Sequence, residues 1–348
     1  MKVKINTPGI VEYLTAHPLK SSKEIHEDWG QGAIGYATIK RNLNALLEQN
    51  YLETEGKGRA TKYKVSTSYA ILHTIDPIEY FKTEIDDRKG QTEFNFDLIS
   101  KTLPRVSLFT VEELNLLDNL QAKHTANIHS LTAAQYQKES ERLAIDLSWK
   151  SSQIEGNTYS LLETERLLKD KETAAGKHKD EATMLLNHKE AIDFIVAQPD
   201  YLDPISIRSI EDIHSILMKE LGIDRNIRTS RVGITGTNYK PLDNEFQISD
   251  ALQQMCMLVN ARTNVFEKAL LLLVLLSYIQ AFEDGNKRTA RITSNACLIS
   301  NSYCPISFRT VDSIALKEAM LIFYEQNNIS AIKQIFIEQF EFAVNTYF

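Results

Sequence analysis

The sequence predicts a mainly α protein with one small α+β unit at its N-terminal end, and three observations lead there. Apolar residues recur at helical spacing through most of the 348 residues. Strand-like alternation is confined to residues 51–65 and 228–244. The run Ala269–Leu276 is apolar at every position, and no charge follows before Glu283, which describes a fully buried helix ending at a polar cluster. With 43% hydrophobic and 24% charged residues, the chain has the composition of a globular protein able to bury a sizeable core in two or three domains.

The first 66 residues read as three short helices and a hairpin. Pro8 to Ala16 sets Ile10, Val11 and Leu14 on one face. Ser21, followed by Glu24 three residues later, has the pattern of a capping box. A third helix from about Tyr36 to Gln49 places Ile39, Leu43, Leu46 and Leu47 inward and leaves Lys40, Arg41 and Asn44 outside. Tyr51–Glu55 and Thr61–Val65 alternate like strands around Gly56-Lys57-Gly58-Arg59. That order resembles a winged helix-turn-helix. Residues 1–66 hold ten Lys and Arg against seven Asp and Glu, a net +3, while the rest carries −10 of the chain's −7. A basic unit on an acidic protein is an electrostatic reason to expect DNA, met through Lys40, Arg41, Lys57 and Arg59; docking of a protein is the competing use.

Residues 67–105, with Pro77, Gly90 and the dense charges Asp86-Asp87-Arg88-Lys89, read as a connecting region without chemistry. Helical period returns at Thr110–Leu120 and Ala133–Ile154, the latter stopped by Gly156 as a C′ residue. Ser151 and Glu155, four apart, share one face of that helix. Amphipathic helices follow within Thr158–Gln198 and Pro204–Leu221. Arg231-Val232-Gly233-Ile234 and Asn238-Tyr239-Lys240-Pro241 flank Thr235-Gly236-Thr237 as a small β-hairpin. Beyond the cluster, Ser313–Gln326 and Ser330–Asn345 close the chain as helices, the second capped by Ser330.

The polar cluster carries the chemistry. After the buried helix comes Gln280-Ala281-Phe282-Glu283-Asp284-Gly285-Asn286-Lys287-Arg288, and residues 288–300 again suit a helix. Gly285-Asn286 then sits where unpaired backbone N–H groups and the helix dipole favour an anion. Arg288 and Arg291, three apart, stand on one side of the first turn, a position that opposes the dipole unless something negative binds between them. Asp284 just outside is a hard oxygen ligand of the kind Mg²⁺ takes.

At Phe282, Asp284, Gly285, Asn286, Arg288 and Arg291 this stretch resembles the Fic family signature His-Pro-Phe-x-Asp/Glu-Gly-Asn-Gly-Arg-x-x-Arg. Ser151-Ser152-Gln153-Ile154-Glu155-Gly156 resembles the family's inhibitory motif, Ser/Thr-x-x-x-Glu-Gly/Asn. The resemblance covers roughly residues 106–348, with an inhibitory helix at about 136–155. It implies a helical core that binds ATP with Mg²⁺ and transfers AMP to a Ser, Thr or Tyr hydroxyl of a target protein. Asp284 would hold the metal, Gly285, Asn286, Lys287 and Arg288 the phosphates, and Arg291 the γ-phosphate, with Phe282 anchoring the loop. Glu155, with Ser151, would block Arg291. Residues 232–236 (Val232, Gly233, Ile234, Thr235, Gly236) would be a flap that takes the target's chain as an added strand.

Two departures bear on activity. Gln280 stands where the family has its catalytic histidine, and an amide does not accept a proton near neutral pH. Lys287 replaces a glycine, and Asn286-Lys287-Arg288 resembles the Doc toxin branch, which transfers the terminal phosphate. The expected function is a self-inhibited AMP transferase weakened at Gln280; the alternatives are a decayed nucleotide-sensing DNA regulator and a Doc-like phosphotransferase. Cys256, Cys297 and Cys304 show no metal-ligand spacing and read as reduced thiols of a cytoplasmic protein. The start Met1-Lys2-Val3-Lys4 lacks the pattern of a signal peptide, and the apolar run is too short to span a bilayer. A homodimer is left open.

Overall fold

The computed structural model describes residues 7–30 and 34–348, without the side chains of Thr7, Pro8 and Arg59. The Met1–Lys4 start and the Arg59 side chain therefore lie outside the described residues. Helix α1 (Thr7–Ala16) buries Ile10, Val11 and Leu14, and α2 (Ser22–Asp28) packs on α3 (Tyr36–Glu48). The Ser21 hydroxyl accepts from Glu24 N–H while the Glu24 carboxylate accepts from Ser21 N–H, so the expected capping box forms. Ile39, Leu43 and Leu46 are buried, Leu47 is half-buried, and Lys40, Arg41 and Asn44 face solvent. Strands β1 (Leu52–Glu55) and β2 (Lys62–Val65) pair antiparallel from Leu52 with Val65 to Glu55 with Lys62.

Two short helices follow, α4 (Ser68–Leu72) and α5 (Pro77–Tyr80). Irregular chain, a π turn (Leu98–Thr102) and a 3₁₀ turn (Leu103–Arg105) then lead to α6 (Val111–Ser130) and α7 (Ala133–Ile154), each opened by a threonine capping box, at Thr110 and Thr132. Helices α8 (Leu161–Asp170), α9 (Lys179–Ala197) and α10 (Ile207–Leu217) come next. Helix α11 (Glu245–Ala261) is an element beyond those the apolar spacing suggests. The centre is α12 (Val265–Ile279), every residue of which except Val265 and Lys268 is buried, packed lengthwise on α13 (Asn286–Ser300). Helices α14 (Ser313–Gln326) and α15 (Ser330–Thr346) close the core with Phe323, Phe336 and Phe340 inside. The described residues are mainly α with one small antiparallel sheet.

Two expectations need correction. Residues 232–241 turn at Thr235-Gly236 as expected but form no ladder among the described residues. Their polar groups are satisfied elsewhere: Lys240 N–H donates to the Thr92 carbonyl and the Asn238 amide to the Ile85 carbonyl. Ser330 does not cap α15 from the N-cap position, which belongs to Ile329. The Asn328 side chain accepts from both Ser330 N–H and its hydroxyl instead. No helix of the described residues is long and apolar enough to cross a membrane.

Candidate functional site

Helix α12 stops at Gln280, which adopts a left-handed conformation (φ 52°) while its N–H still donates to the Leu276 carbonyl. The chain turns through Ala281 and Phe282, both buried, and restarts as α13 at Gly285. Phe282 is the anchor the sequence suggested: its ring stacks on His214 of α10, centroids 3.7 Å apart and 6° from parallel. Gly285 has φ 79°, a left-handed conformation that favours glycine; the nearest neighbour of an added Cβ would be the flexible end of the Met218 side chain, which can move aside. Asn286 closes the turn by accepting from Phe282 N–H at 2.8 Å and donating to the Phe282 carbonyl at 2.7 Å. Its side chain is thereby committed to the loop. What remains of Asn286 for an anion is its backbone N–H at the start of α13, the group the sequence reading points to.

The two arginines face different carboxylates rather than one shared anion. Arg288, 2% exposed, donates to Asp284 at 2.8 Å, and its Nε and second terminal nitrogen are buried without partners. Arg291, 3% exposed, turns to the end of α7. Its Nε donates to the Ser151 hydroxyl at 2.7 Å, and a terminal nitrogen donates to the Ser151 carbonyl at 3.0 Å and to Glu155 Oε1 at 2.7 Å. Lys287 Nζ stands 4.0 Å from the other Glu155 oxygen. Burial pushes the Glu155 carboxyl up, but Arg291, Lys287 and Arg288 together pull it below its ordinary value.

Behind this contact lies His188 of α9, fully buried, with Nε2 2.6 Å from the Ser151 hydroxyl. Burial first, and then the positive field of Arg291 and Arg288, pushes His188 well below its ordinary pKa, so the ring is neutral. With the ring proton on Nδ1, Nε2 accepts the Ser151 hydroxyl proton, which leaves the Ser151 lone pairs turned to Arg291. Nothing in the spacing around His188 points to this role. Burial also lowers His214, whose Nε2 lies 2.9 Å from the Asp284 carbonyl.

Gln280 is 8% exposed, and its side-chain amide donates to the Ser277 carbonyl at 2.6 Å. Its carbonyl accepts from Arg228 Nε at 2.7 Å; Arg228 also donates to the Ser230 carbonyl at 2.5 Å and to the Leu242 carbonyl. Buried Arg228 thus fastens both feet of residues 230–242 to the loop, a second role the sequence does not disclose. Val232, Gly233, Ile234 and Thr235 line a cleft of about 250 Å³ with Glu155, Asp284, Gly285, Lys287 and Arg288; Gly236 lies at the turn above. No group of three His, Cys, Asp or Glu among the described residues could hold a metal alone. Asp284, 62% exposed at the cleft, fits an ion such as Mg²⁺ that takes one carboxylate and completes its shell with phosphate and water.

Lys40, Arg41 and Lys57 are exposed at the far N-terminal end of the chain, remote in sequence from this cleft. Lys20 and Lys64 pair with neighbouring carboxylates, which reduces the free positive charge of this unit.

Residues 204–298, which contain residues 232–236, the Gln280 loop and most of α13, match the family model described as Fic/DOC family. The chain carries a Fic/DOC domain. The function implied by such a domain is in general AMP transfer or related nucleotidyl transfer. The fold is similar to that of Fic-1 (residues 134–508) from C. elegans, at 18% identity over 68% of this chain and 71% of that one, TM-score 0.59. A Fic domain containing signaling protein from Bacteroides thetaiotaomicron matches at 18% identity over 66% of this chain and 94% of its own, TM-score 0.57. A Fic family protein from Desulfovibrio desulfuricans matches at 16% identity, 69% and 74%, TM-score 0.57. At these identities the structural likeness speaks for the Fic fold alone.

Proposed function

We propose that this protein binds ATP in the cleft under residues 232–236 and transfers AMP to a Ser, Thr or Tyr hydroxyl of a target protein, restrained by Glu155 and slowed by Gln280. The observation that carries this reading is the state of the two arginines. Arg288 buries two nitrogens without partners beside the N-terminus of α13, and Arg291 is capped by a carboxylate from α7. Both want an anion, and the unpaired N–H groups of a first helical turn favour one at the same end of α13. Phosphates would lie over Gly285, Asn286, Lys287 and Arg288, and Arg291 would take the terminal phosphate once Glu155 leaves it. Asp284 would hold Mg²⁺, which when bound screens the charge of the phosphates.

Gln280 supports a second reading. Its amide is tied to the Ser277 carbonyl and offers no base at the mouth of the cleft, as suits a protein that senses nucleotide without turning it over and reports through the N-terminal winged helix to DNA. A Doc-like transfer of terminal phosphate is the third, and Lys287 beside Glu155 is what favours it. Calorimetry separates all three from a non-nucleotide role: wild type and Glu155→Gly should bind ATP with Mg²⁺, and Arg288→Ala should bind it at least ~10-fold more weakly, as removal of a charged hydrogen bond predicts. No ATP binding by Glu155→Gly would overturn the proposal.

A further inference from the structure

We infer that residues 80–95 are a strap that sets the position of the flap, with Arg88 as the positioning residue that joins the flap's turn to α14. The inference rests on the reading of residues 232–236 as a flap over the cleft. That flap has no ladder of its own, so something else must fix it. Arg88, its side chain 7% exposed, donates to the Gly236 carbonyl at 2.6 Å and lies 3.3 Å from Glu325 of α14. Its guanidinium also sits over the rings of Phe81 at 5.0 Å and Tyr80 at 5.9 Å. The Tyr80 hydroxyl donates to the other Glu325 oxygen at 2.6 Å. One buried guanidinium therefore touches the strap, the flap and α14 at once.

The rest of the strap runs along the same two partners. Thr92 and Ile85 supply the carbonyls that hold Lys240 and Asn238, on the far arm of the flap. Gln91 N–H donates to the Glu325 carbonyl, and the Gln326 amide donates to the Lys89 carbonyl, both at 2.6 Å. Between them Gly90 lies so close that an added Cβ would meet Glu325 Cβ at 2.8 Å. Further along, Phe94 stacks on Tyr278 at 4.7 Å, and Asn95 N–H donates to the Tyr278 hydroxyl, two residues before Gln280.

A buried ion pair is a poor choice for stability, because desolvation of two charges offsets most of their attraction. Its merit is position: one terminal nitrogen of Arg88 reaches both the Gly236 carbonyl and Glu325, and it does so only when the two are in place. Withdrawing the strap frees residues 231–238 to move between the points still held, the Ser230 and Leu242 carbonyls on Arg228 and the Tyr239 hydroxyl on the Tyr278 carbonyl.

The test is limited trypsin digestion of the full chain, following cleavage after Arg231 in the flap against cleavage after Lys171, an exposed site between α8 and α9. Arg88→Gln should speed cleavage after Arg231 by about tenfold, as removal of one charge-assisted hydrogen bond predicts, and leave Lys171 unchanged. Arg88→Lys, which keeps the charge without the guanidinium face over Phe81 and Tyr80, should fall between. Gly90→Ala, which pushes the strap off α14 without touching Arg88, should reproduce the effect even if Arg88→Gln folds poorly. Unchanged cleavage after Arg231 in both Arg88→Gln and Gly90→Ala, or equal acceleration at both sites in both proteins, overturns the inference. Cleavage needs no nucleotide and no acceptor, so a protein that never labels a hydroxyl leaves this result readable and counts against the proposed transfer alone.

Discussion

Glu155 Oε1 lies 2.7 Å from a terminal nitrogen of Arg291, 136 residues apart in sequence, and the two meet at the end of α7 and the first turns of α13. The contact is more than one ion pair. Arg291 is also held by the Ser151 hydroxyl and carbonyl, and the Ser151 hydroxyl by His188, so the guanidinium is fixed from one side by three groups of α7. A γ-phosphate would have to displace the carboxylate while leaving Ser151 in place. Removing the carboxylate should therefore favour nucleotide. Glu155→Gly should bind ATP about 10-fold or more tightly than wild type, on the scale of one charge-assisted hydrogen bond. Calorimetry checks it, and Arg291→Ala added to Glu155→Gly should erase the gain.

The same ion pair has a pH signature. The Glu155 carboxyl is held below its ordinary value, so it stays ionised throughout the range above the usual carboxylate pKa and gives up its charge only as pH falls below that value. The ratio of ATP affinities between Glu155→Gln and wild type should stay flat from pH 8 to about pH 5. A ratio that closes between pH 7 and pH 5.5 would mean that the carboxyl titrates in the ordinary way or higher and that Arg291 does not control it.

Phe282 offers a test of the loop's foundation. It is 1% exposed and stacked on His214, which in turn sits within hydrogen-bond distance of the Asp284 carbonyl. Phe282→Ala should destabilise the protein by about 3–5 kcal/mol in urea unfolding, the range for a buried phenylalanine. Destabilisation below about 1 kcal/mol would show that the loop is not anchored in the core.

Much of this is legible in the sequence because the informative features are local. The unbroken run through Leu276 can only be a buried helix, and a Gly-Asn pair soon behind it must turn the chain, so α12, the loop and α13 are readable from one short stretch. Ser21 with Glu24 marks a helix start for the same reason. What escapes depends on partners far away in the chain. Residues 80–95 look like a linker because their carbonyls and Arg88 find the flap and α14, separated from them by 148 to 237 residues. The alternation in the flap suggests a hairpin, yet the Lys240 N–H is taken by that same segment. His188 has no local pattern to announce it, since its importance is a single contact with Ser151 of another helix.

The N-terminal unit makes a separate prediction. Lys40, Arg41 and Lys57 are exposed, whereas Lys20 and Lys64 are engaged with carboxylates. If DNA is the partner, binding to promoter fragments should weaken with salt, and Lys40→Ala with Arg41→Ala should lower the log–log slope by roughly one unit for each phosphate no longer neutralised. Absence of binding at low salt would assign the unit to a protein partner.

The last prediction concerns Gln280. The residue offers no proton acceptor, and its amide is turned to the Ser277 carbonyl. A histidine at this place could lend a ring nitrogen to an acceptor hydroxyl, and a positioned base is worth ~10²–10⁴ in rate. In the Glu155→Gly background, where no carboxylate caps Arg291, Gln280→His should raise labelling of protein from α-labelled ATP by about 10²-fold or more. Lys287 complicates the outcome in a readable way. Its ammonium lies beside Glu155 at the start of α13, and if it turns the nucleotide so that the terminal phosphate is in line, the gain will appear from γ-labelled ATP instead. Adding Lys287→Gly should then move the label to the α position. Label from neither nucleotide in any of these proteins, with ATP still bound by calorimetry, would reject transfer chemistry and leave a nucleotide sensor. The measurement thus separates a missing base, a reversed nucleotide and a module that no longer reacts, because each places the radioactive phosphate differently.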